Sequence, residues 1–332
     1  MSEGTPASSS TATSPKPFRS LMQTHRSTAQ TGVIFLVALF LATLLSGGVF
    51  LQPANLRNLL LQGAILGVVA LGQLLVVLTG GIDLSVGAAV AISSVLFVLL
   101  QDHGVVLAAA AALGGALVIG LINGSTVAAL GLPAFVVTLA VSEVAMSLTQ
   151  VLTGGASIST ARSGTAVPES VTTFGSGTWG GLPTTSLVWL VVLVAIVLGL
   201  RTRNGSFIYP VGGNERAANF SAVPVVKVKL LAYAGCSLLA GIGGLLFVAR
   251  IGTGDPQAGT PYLLDSIAAV VIGGASLFGG RGTASGTLIG VLILGILNNL
   301  VNLLGVSPSL QYAVKGVVIL LAVILTTQRK RS

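Results

Sequence analysis

Four ionisable side chains stand inside apolar runs of this 332-residue chain: Asp83, Glu143, Asp265 and Lys315. A charge at the centre of a bilayer costs about 2.5–3.5 kcal/mol on insertion scales, so each needs a partner, a proton or a polar route. Glu143 lies ten residues into its run and admits three uses: a protonated core side chain, an ion-pair partner for Lys315, or a group lining a polar pathway. Asp83, within GGIDLSVG, precedes Ser85 and an apolar run, where a carboxylate caps free N–H groups at a new helix start. Gln73, Thr79, Asn123, Thr138, Asn298, Asn299, Asn302 and Gln311 add uncharged hydrogen-bond groups at membrane depth. Many weak partners without a strong trap are what a route for a polyhydroxylated solute requires, and the same groups serve equally as interhelical hydrogen bonds. The candidate pathway set is Gln73, Asn123, Thr138, Glu143, Asn298, Asn302 and Gln311, with Asn298 and Asn302 one turn apart on one face.

Other chemistries find no footing. There is no GxxxxGK[ST] loop, HExxH, GxSxG elbow or Cys/His cluster. The single cysteine, Cys236, sits in an apolar stretch, and His25 and His103 fall in a tail and a short loop. No catalytic residue, metal site or cofactor is read from the chain.

The elements that must position these groups follow from composition. Hydrophobic residues make up 53% of the chain and charged residues 7%, with a mean hydropathy of +0.97. So few charges cannot coat a soluble fold, so the solvent is lipid and the fold an all-α polytopic membrane protein. A net charge of +8 without a basic stripe or interleaved aromatics argues against nucleic acid. Spans of about 20 residues are expected at 31–50, 58–79, 84–101, 104–130, 133–152, 185–200, 226–250, 262–279, 284–304 and 308–327. That makes about ten, some broken at Gly and Pro positions such as Gly80-Gly81 and Gly131-Leu132-Pro133. With both termini cytoplasmic, 12 of the 16 basic residues fall inside, as the positive-inside rule requires. Residues 1–30 read as a disordered cytoplasmic tail, 31–327 as the membrane domain and 328–332 as a basic cytoplasmic tail. Two connections are long: 153–184, expected outside, and 201–225, expected inside. With so little hydrophilic mass, energy and recognition must come from other chains. Glycines at small-residue spacing, Gly63/Gly67, Gly120/Gly124 and Gly282/Gly286/Gly290, are expected to bring helix backbones together.

Four long runs then carry a resemblance: LTGGIDLSVG (78–87), YPVGGNERAANFSAVPVVKVK (209–229), ARIGTGDPQAGTPYLLDSIAAVVIGGASLFGGRG (249–282) and GTLIGVLILGILNNLVNLLGV (286–306). From about residue 31 onward the chain resembles the ribose-type permeases of ABC sugar importers. The resemblance implies a permease paired with a second copy or a paralogue in the bilayer. It also implies docking on cytoplasmic ATP-binding subunits and supply by a periplasmic sugar-binding protein. The family's ATPase-coupling helix maps onto Gly212, Gly213, Asn214, Glu215, Ala217 and Ala218, and its glycine motifs onto Gly80, Gly81, Asp83, Gly273, Gly274, Gly279 and Gly280. The residues themselves agree, since Asn214 is placed to cap a short helix starting at Glu215. Three departures stand out: Ala222 where relatives usually have Gly, Leu264 where many have Glu, and Met146-Ser147 where Arg-Gly is frequent. The competing reading is a self-sufficient proton-coupled secondary transporter working through Glu143 or Asp83, which would have no use for a docking segment.

Overall fold

The computed structural model describes residues 32–159, 166–307 and five further positions between 310 and 317. The chain enters through an apolar helix, α1 (Gly32–Leu45), and a 3-10 turn. The next elements are α2 (Pro53–Leu78), α3 (Val86–Leu100), α4 (Val105–Ala129) and α5 (Ala134–Thr153). A short helix, α6 (Glu169–Ser176), and a two-residue hairpin, β1 (Thr178–Trp179) and β2 (Leu182–Pro183), lead into α7 (Thr184–Arg201). Three short helices follow, α8 (Arg203–Ser206), α9 (Ile208–Gly213) and α10 (Glu215–Phe220), then α11 (Val225–Ile251), α12 (Thr260–Ile272) and α13 (Ala284–Leu303).

Seven of the described helices are long and apolar enough to cross a membrane; α1 and α12 are apolar but shorter. The expected span 262–279 is realised as the 13-residue α12, which reaches only about 20 Å against a hydrocarbon core of about 30 Å. It stops because the backbone turns at Gly273 and Gly274, the latter at φ 90, leaving the helix without a Cβ penalty. Most of the tenth expected span (308–327), Lys315, and the terminal segments 1–30 and 328–332 lie outside the described residues.

The core is a four-helix unit in which α11 packs against α2, α3 and α4, with α12 and α13 closing on α2. The helices approach through glycine. A Cβ on Gly120 would stand 2.6 Å from the Tyr233 carbonyl oxygen, and one on Gly124 2.9 Å from the Leu230 Cα, so the α4 pair at GxxxG spacing is a contact face for α11. Gly63 and Gly67 face Trp189 of α7, and Gly290 lies against the Ala269 carbonyl of α12. Burial is uneven: the most apolar window of α2 is 83% buried and that of α7 only 11%. The faces of α5 and α7 therefore meet lipid or a partner.

Candidate functional site: a coupling segment seated on a glycine junction

Residues 201–225 fold into α8, α9 and α10 because their caps are local. Thr202 Oγ1 accepts from the Gly205 N–H at 3.1 Å, and Asn214 Oδ1 accepts from the Ala217 N–H at 3.0 Å, each filling a free donor at a helix start. The far end of α10 is a Schellman motif: Val223 N–H donates to the Ala218 carbonyl and Ala222 N–H to that of Asn219, both at 3.1 Å. The residue this motif places in the left-handed region is Ala222, at φ 57, where glycine is the ordinary choice. An alanine there carries backbone strain of about 1–2 kcal/mol. Glu215 pairs with Lys229 Nζ at 2.6 Å and ties α10 to α11; with the Glu215 side chain 55% exposed, such a pair contributes at most about 1 kcal/mol.

α10 has two faces. Ala218 is buried against Ile208, Val211 and Val225 of the chain's own core. Ala217 and Arg216 are exposed, and Phe220 is 93% exposed. Of the two small residues expected at the coupling surface, Ala217 points outward and Ala218 inward, and the Phe220 ring points outward as well. A groove of about 950 Å³ opens along α10, between its Glu215, Arg216 and Asn219 and Val223, Val226 and Lys227.

Behind α10 the three glycine motifs meet in one place. Gly280 N–H donates to the Leu78 carbonyl at 3.0 Å, joining the end of α2 to the turn between α12 and α13. Gly212, at the end of α9, fits against both: a Cβ there would overlap the Leu78 carbonyl oxygen and stand 2.7 Å from the Gly280 nitrogen. A Cβ on Gly279, which adopts φ 84, would stand 2.5 Å from the Gly212 oxygen and 2.8 Å from the Gly80 nitrogen. Gly213, one residue on, has nothing within 4 Å. Tyr209 donates from its hydroxyl to the Gly282 carbonyl at 3.4 Å, and burial raises its phenol above the usual range, so it stays neutral. Three backbones are thus in direct contact, with no side chain between them to absorb movement.

The residues offered as solute partners divide sharply. Gln73, Asn123 and Thr138 are fully buried and converge on the break at 79–85 between α2 and α3. With its amide turned to satisfy both ends, Gln73 donates to the Asp83 carbonyl at 3.1 Å and accepts from the Asp83 N–H at 3.2 Å. Thr138 Oγ1 accepts from Leu84 N–H at 3.1 Å and lies 3.2 Å from the Ile82 carbonyl. Asn123 Nδ2 donates to Ser85 Oγ at 2.7 Å. These side chains replace the helix hydrogen bonds that the break gives up. Asp83 Oδ1 holds the Ser85 N–H at 2.8 Å, one position ahead of α3, and not the donors of the first turn. Among the C-terminal candidates, Asn298 donates to Asp265 Oδ2 at 3.4 Å, and the exposed Asn302 accepts from Gln311 at 2.9 Å. Asn55 and Asn299 form a reciprocal amide pair at 2.9 and 2.8 Å.

Glu143 is different. It is exposed on α5, so it is not a core side chain. Ser147 and Gln150, at the next helical spacings, are exposed with it, which makes a polar stripe on a span-length helix. The spacing of four and three residues from Glu143 to Ser147 and Gln150 is the sequence signal for this stripe.

The described residues form a helical chain with seven candidate membrane spans, in which the short α9 meets the end of α2 and the α12–α13 turn backbone to backbone. The chain belongs to the family described as branched-chain amino acid transport system / permease component, which matches residues 55–323. It is 43% identical over 288 residues to the ribose import permease protein RbsC of Escherichia coli K12, covering 85% of this chain and 88% of that protein. The Bacillus subtilis 168 ribose import permease protein RbsC is 43% identical over 286 residues, covering 85% and 87%. The L-arabinose transport system permease protein AraH of Escherichia coli K12 is 33% identical over 305 residues, 90% of each chain. No solved structure matches this chain.

Proposed function

We propose that the chain is the membrane subunit of an ABC importer that moves a sugar of the pentose or hexose class across the bacterial cytoplasmic membrane. In this reading ATP is hydrolysed in separate cytoplasmic subunits, sugar arrives from a periplasmic binding protein, and a second permease copy or paralogue completes the pathway. The ribose and arabinose permeases among the relatives support the sugar class. The observation that carries the mechanism is the contact of Gly212 with Leu78 and Gly280. A push on α10, delivered through Phe220 and the adjoining groove, reaches α2 and the α12–α13 turn without slack. The polar stripe of Glu143, Ser147 and Gln150 supplies the pathway wall, because a carboxylate facing lipid would cost a few kcal/mol. Gln73, Asn123 and Thr138 shape the break instead of touching solute.

The test is reconstitution in proteoliposomes with and without ATP-binding subunits and loaded binding protein. Uptake of ribose or arabinose is expected only with the full set and ATP. Accumulation by the chain alone, driven by a proton gradient, would overturn the reading.

A further inference from the structure

Four fully buried side chains surround the point where α2 gives way to α3: Asp83 and Ser85 on the break, Asn123 on α4 and Tyr233 on α11. Ser85 Oγ donates to Asp83 Oδ1 at 2.6 Å and accepts from Asn123 Nδ2 at 2.7 Å. The opposite ends of the same groups are unfilled, for Asp83 Oδ2, Asn123 Oδ1 and Tyr233 Oη have no hydrogen-bond partner. Tyr233 shares the pocket: its hydroxyl occupies the space that a Cβ on Gly81 would take, and it is within electrostatic reach of Asp83.

The groups facing Asp83 set its charge. From α11 come the titratable Tyr233 and Cys236; from α2, α4 and α5 come Gln73, Asn123 and Thr138, none of which carries charge. Among the described residues no Lys or Arg makes an ion pair with Asp83, and Lys229 is engaged with Glu215. A bare carboxylate buried without a cation is costly by several kcal/mol. Donor counting gives the same answer. If Asp83 is ionised, the only hydroxyl proton among the three unfilled oxygens is that of Tyr233, which serves one acceptor and leaves another to the Cys236 thiol facing Asp83, a weak donor. One added proton supplies the missing bond.

We infer that this cluster is a proton-binding site in which Asp83 is a neutral carboxylic acid. Oδ2–H donates to Tyr233 Oη, the Tyr233 hydroxyl donates to Asn123 Oδ1, and the ring returns through Asn123 Nδ2 and Ser85 Oγ to Asp83 Oδ1. The proton comes from water as the bundle folds, and side-chain rotations bring the last two bonds to length. The closed ring clamps α4 and α11 to the break whose other end carries Gly80 of the glycine junction. Asp83 acts as a positioning residue, independent of which solute is carried.

The experiment compares infrared difference spectra and unfolding midpoints of the full-length chain in detergent, wild type against Asp83→Asn, Asp83→Ala and Tyr233→Phe. The carbonyl stretch of a protonated carboxyl is expected in wild type, lost in Asp83→Asn and shifted in Tyr233→Phe. Asp83→Asn, which keeps one acceptor and one donor in place, is expected to unfold within about 2 °C of wild type, and Asp83→Ala about 4 °C or more below it. Absence of the band in wild type, or its indifference to Tyr233→Phe, overturns the proposal even if Asp83→Asn fails to fold. So does an Asp83→Asn midpoint as low as that of Asp83→Ala. A midpoint that rises with sodium or potassium at constant ionic strength, without the band, would give the site to an alkali cation and overturn it as well.

Discussion

The break at 79–85 and the outer face of α5 both place polar groups inside an apolar chain, and they use them in opposite ways. Around the break, Gln73, Asn123 and Thr138 are fully buried and bonded to Asp83, Ser85 and Leu84 of the same chain. On α5, Glu143, Ser147 and Gln150 are exposed beside Val144 and Val151, which are 72% and 76% exposed. Sequence depth alone does not separate the two sets. What separates them is whether the hydrogen bonds are filled from within, which frees the second set for another molecule.

The sharpest way to break this comparison is at the junction. Gly212→Ala puts a methyl group into the Leu78 carbonyl, an overpacking expected to cost about 3 kcal/mol or more and to abolish sugar-stimulated ATP hydrolysis. Gly213→Ala has open space and is expected to stay within about 0.5 kcal/mol of wild type in stability, with stimulation retained. Equal behaviour of the two variants in the reconstituted ATPase assay would remove the junction from the mechanism.

Next in size are the buried bonds. Gln73→Leu and Thr138→Val each strand backbone groups of the break and are expected to lower stability by about 1–3 kcal/mol, with faster amide exchange at residues 79–85. Glu143→Gln on α5 should leave the unfolding midpoint unchanged and reduce uptake. A destabilised Glu143→Gln with normal uptake would reverse the roles of the two regions.

A smaller effect concerns the docking face. Phe220→Ala removes an exposed ring from α10 and is expected to weaken binding of the ATP-binding subunit by about 1–2 kcal/mol at unchanged stability, read as a rise in Kd of about fivefold to thirtyfold. The smallest change is a gain: Ala222→Gly relieves the left-handed alanine and is expected to add about 1 kcal/mol to stability, seen as a higher midpoint.

Much of this architecture was legible beforehand. Seven of the ten expected spans fall on described helices long and apolar enough to cross a membrane and two more on shorter apolar helices, because lipid demands long apolar helices and the hydropathy pattern reports them directly. The short helix capped by Asn214 was legible for a similar local reason. Three things were not. Ala218 faces inward and Phe220 outward because Val223 and Val225 belong to the same cluster, a tertiary fact that a six-residue helix does not encode. The sequence leaves Gln73, Asn123 and Thr138 open between solute partners and interhelical bonds, because nothing local says that three distant helices converge on one break. The meeting of Gly80, Gly212 and Gly279 was invisible for the same reason: each glycine fits a turn by itself, and only the fold brings their backbones together.

The glycine junction has a consequence for how such a subunit diversifies. Backbone atoms are common to every residue, so a joint made from them conveys displacement and carries no information about cargo. In the proposed function, the polar face of α5 can be rewritten for a different solute while the α9–α10 end is left untouched, and one ATP-binding partner can serve several rewritten chains. Variation is correspondingly one-sided: a side chain added at Gly212 or Gly279 has no compensating change available elsewhere in the joint, since nothing there can be made smaller.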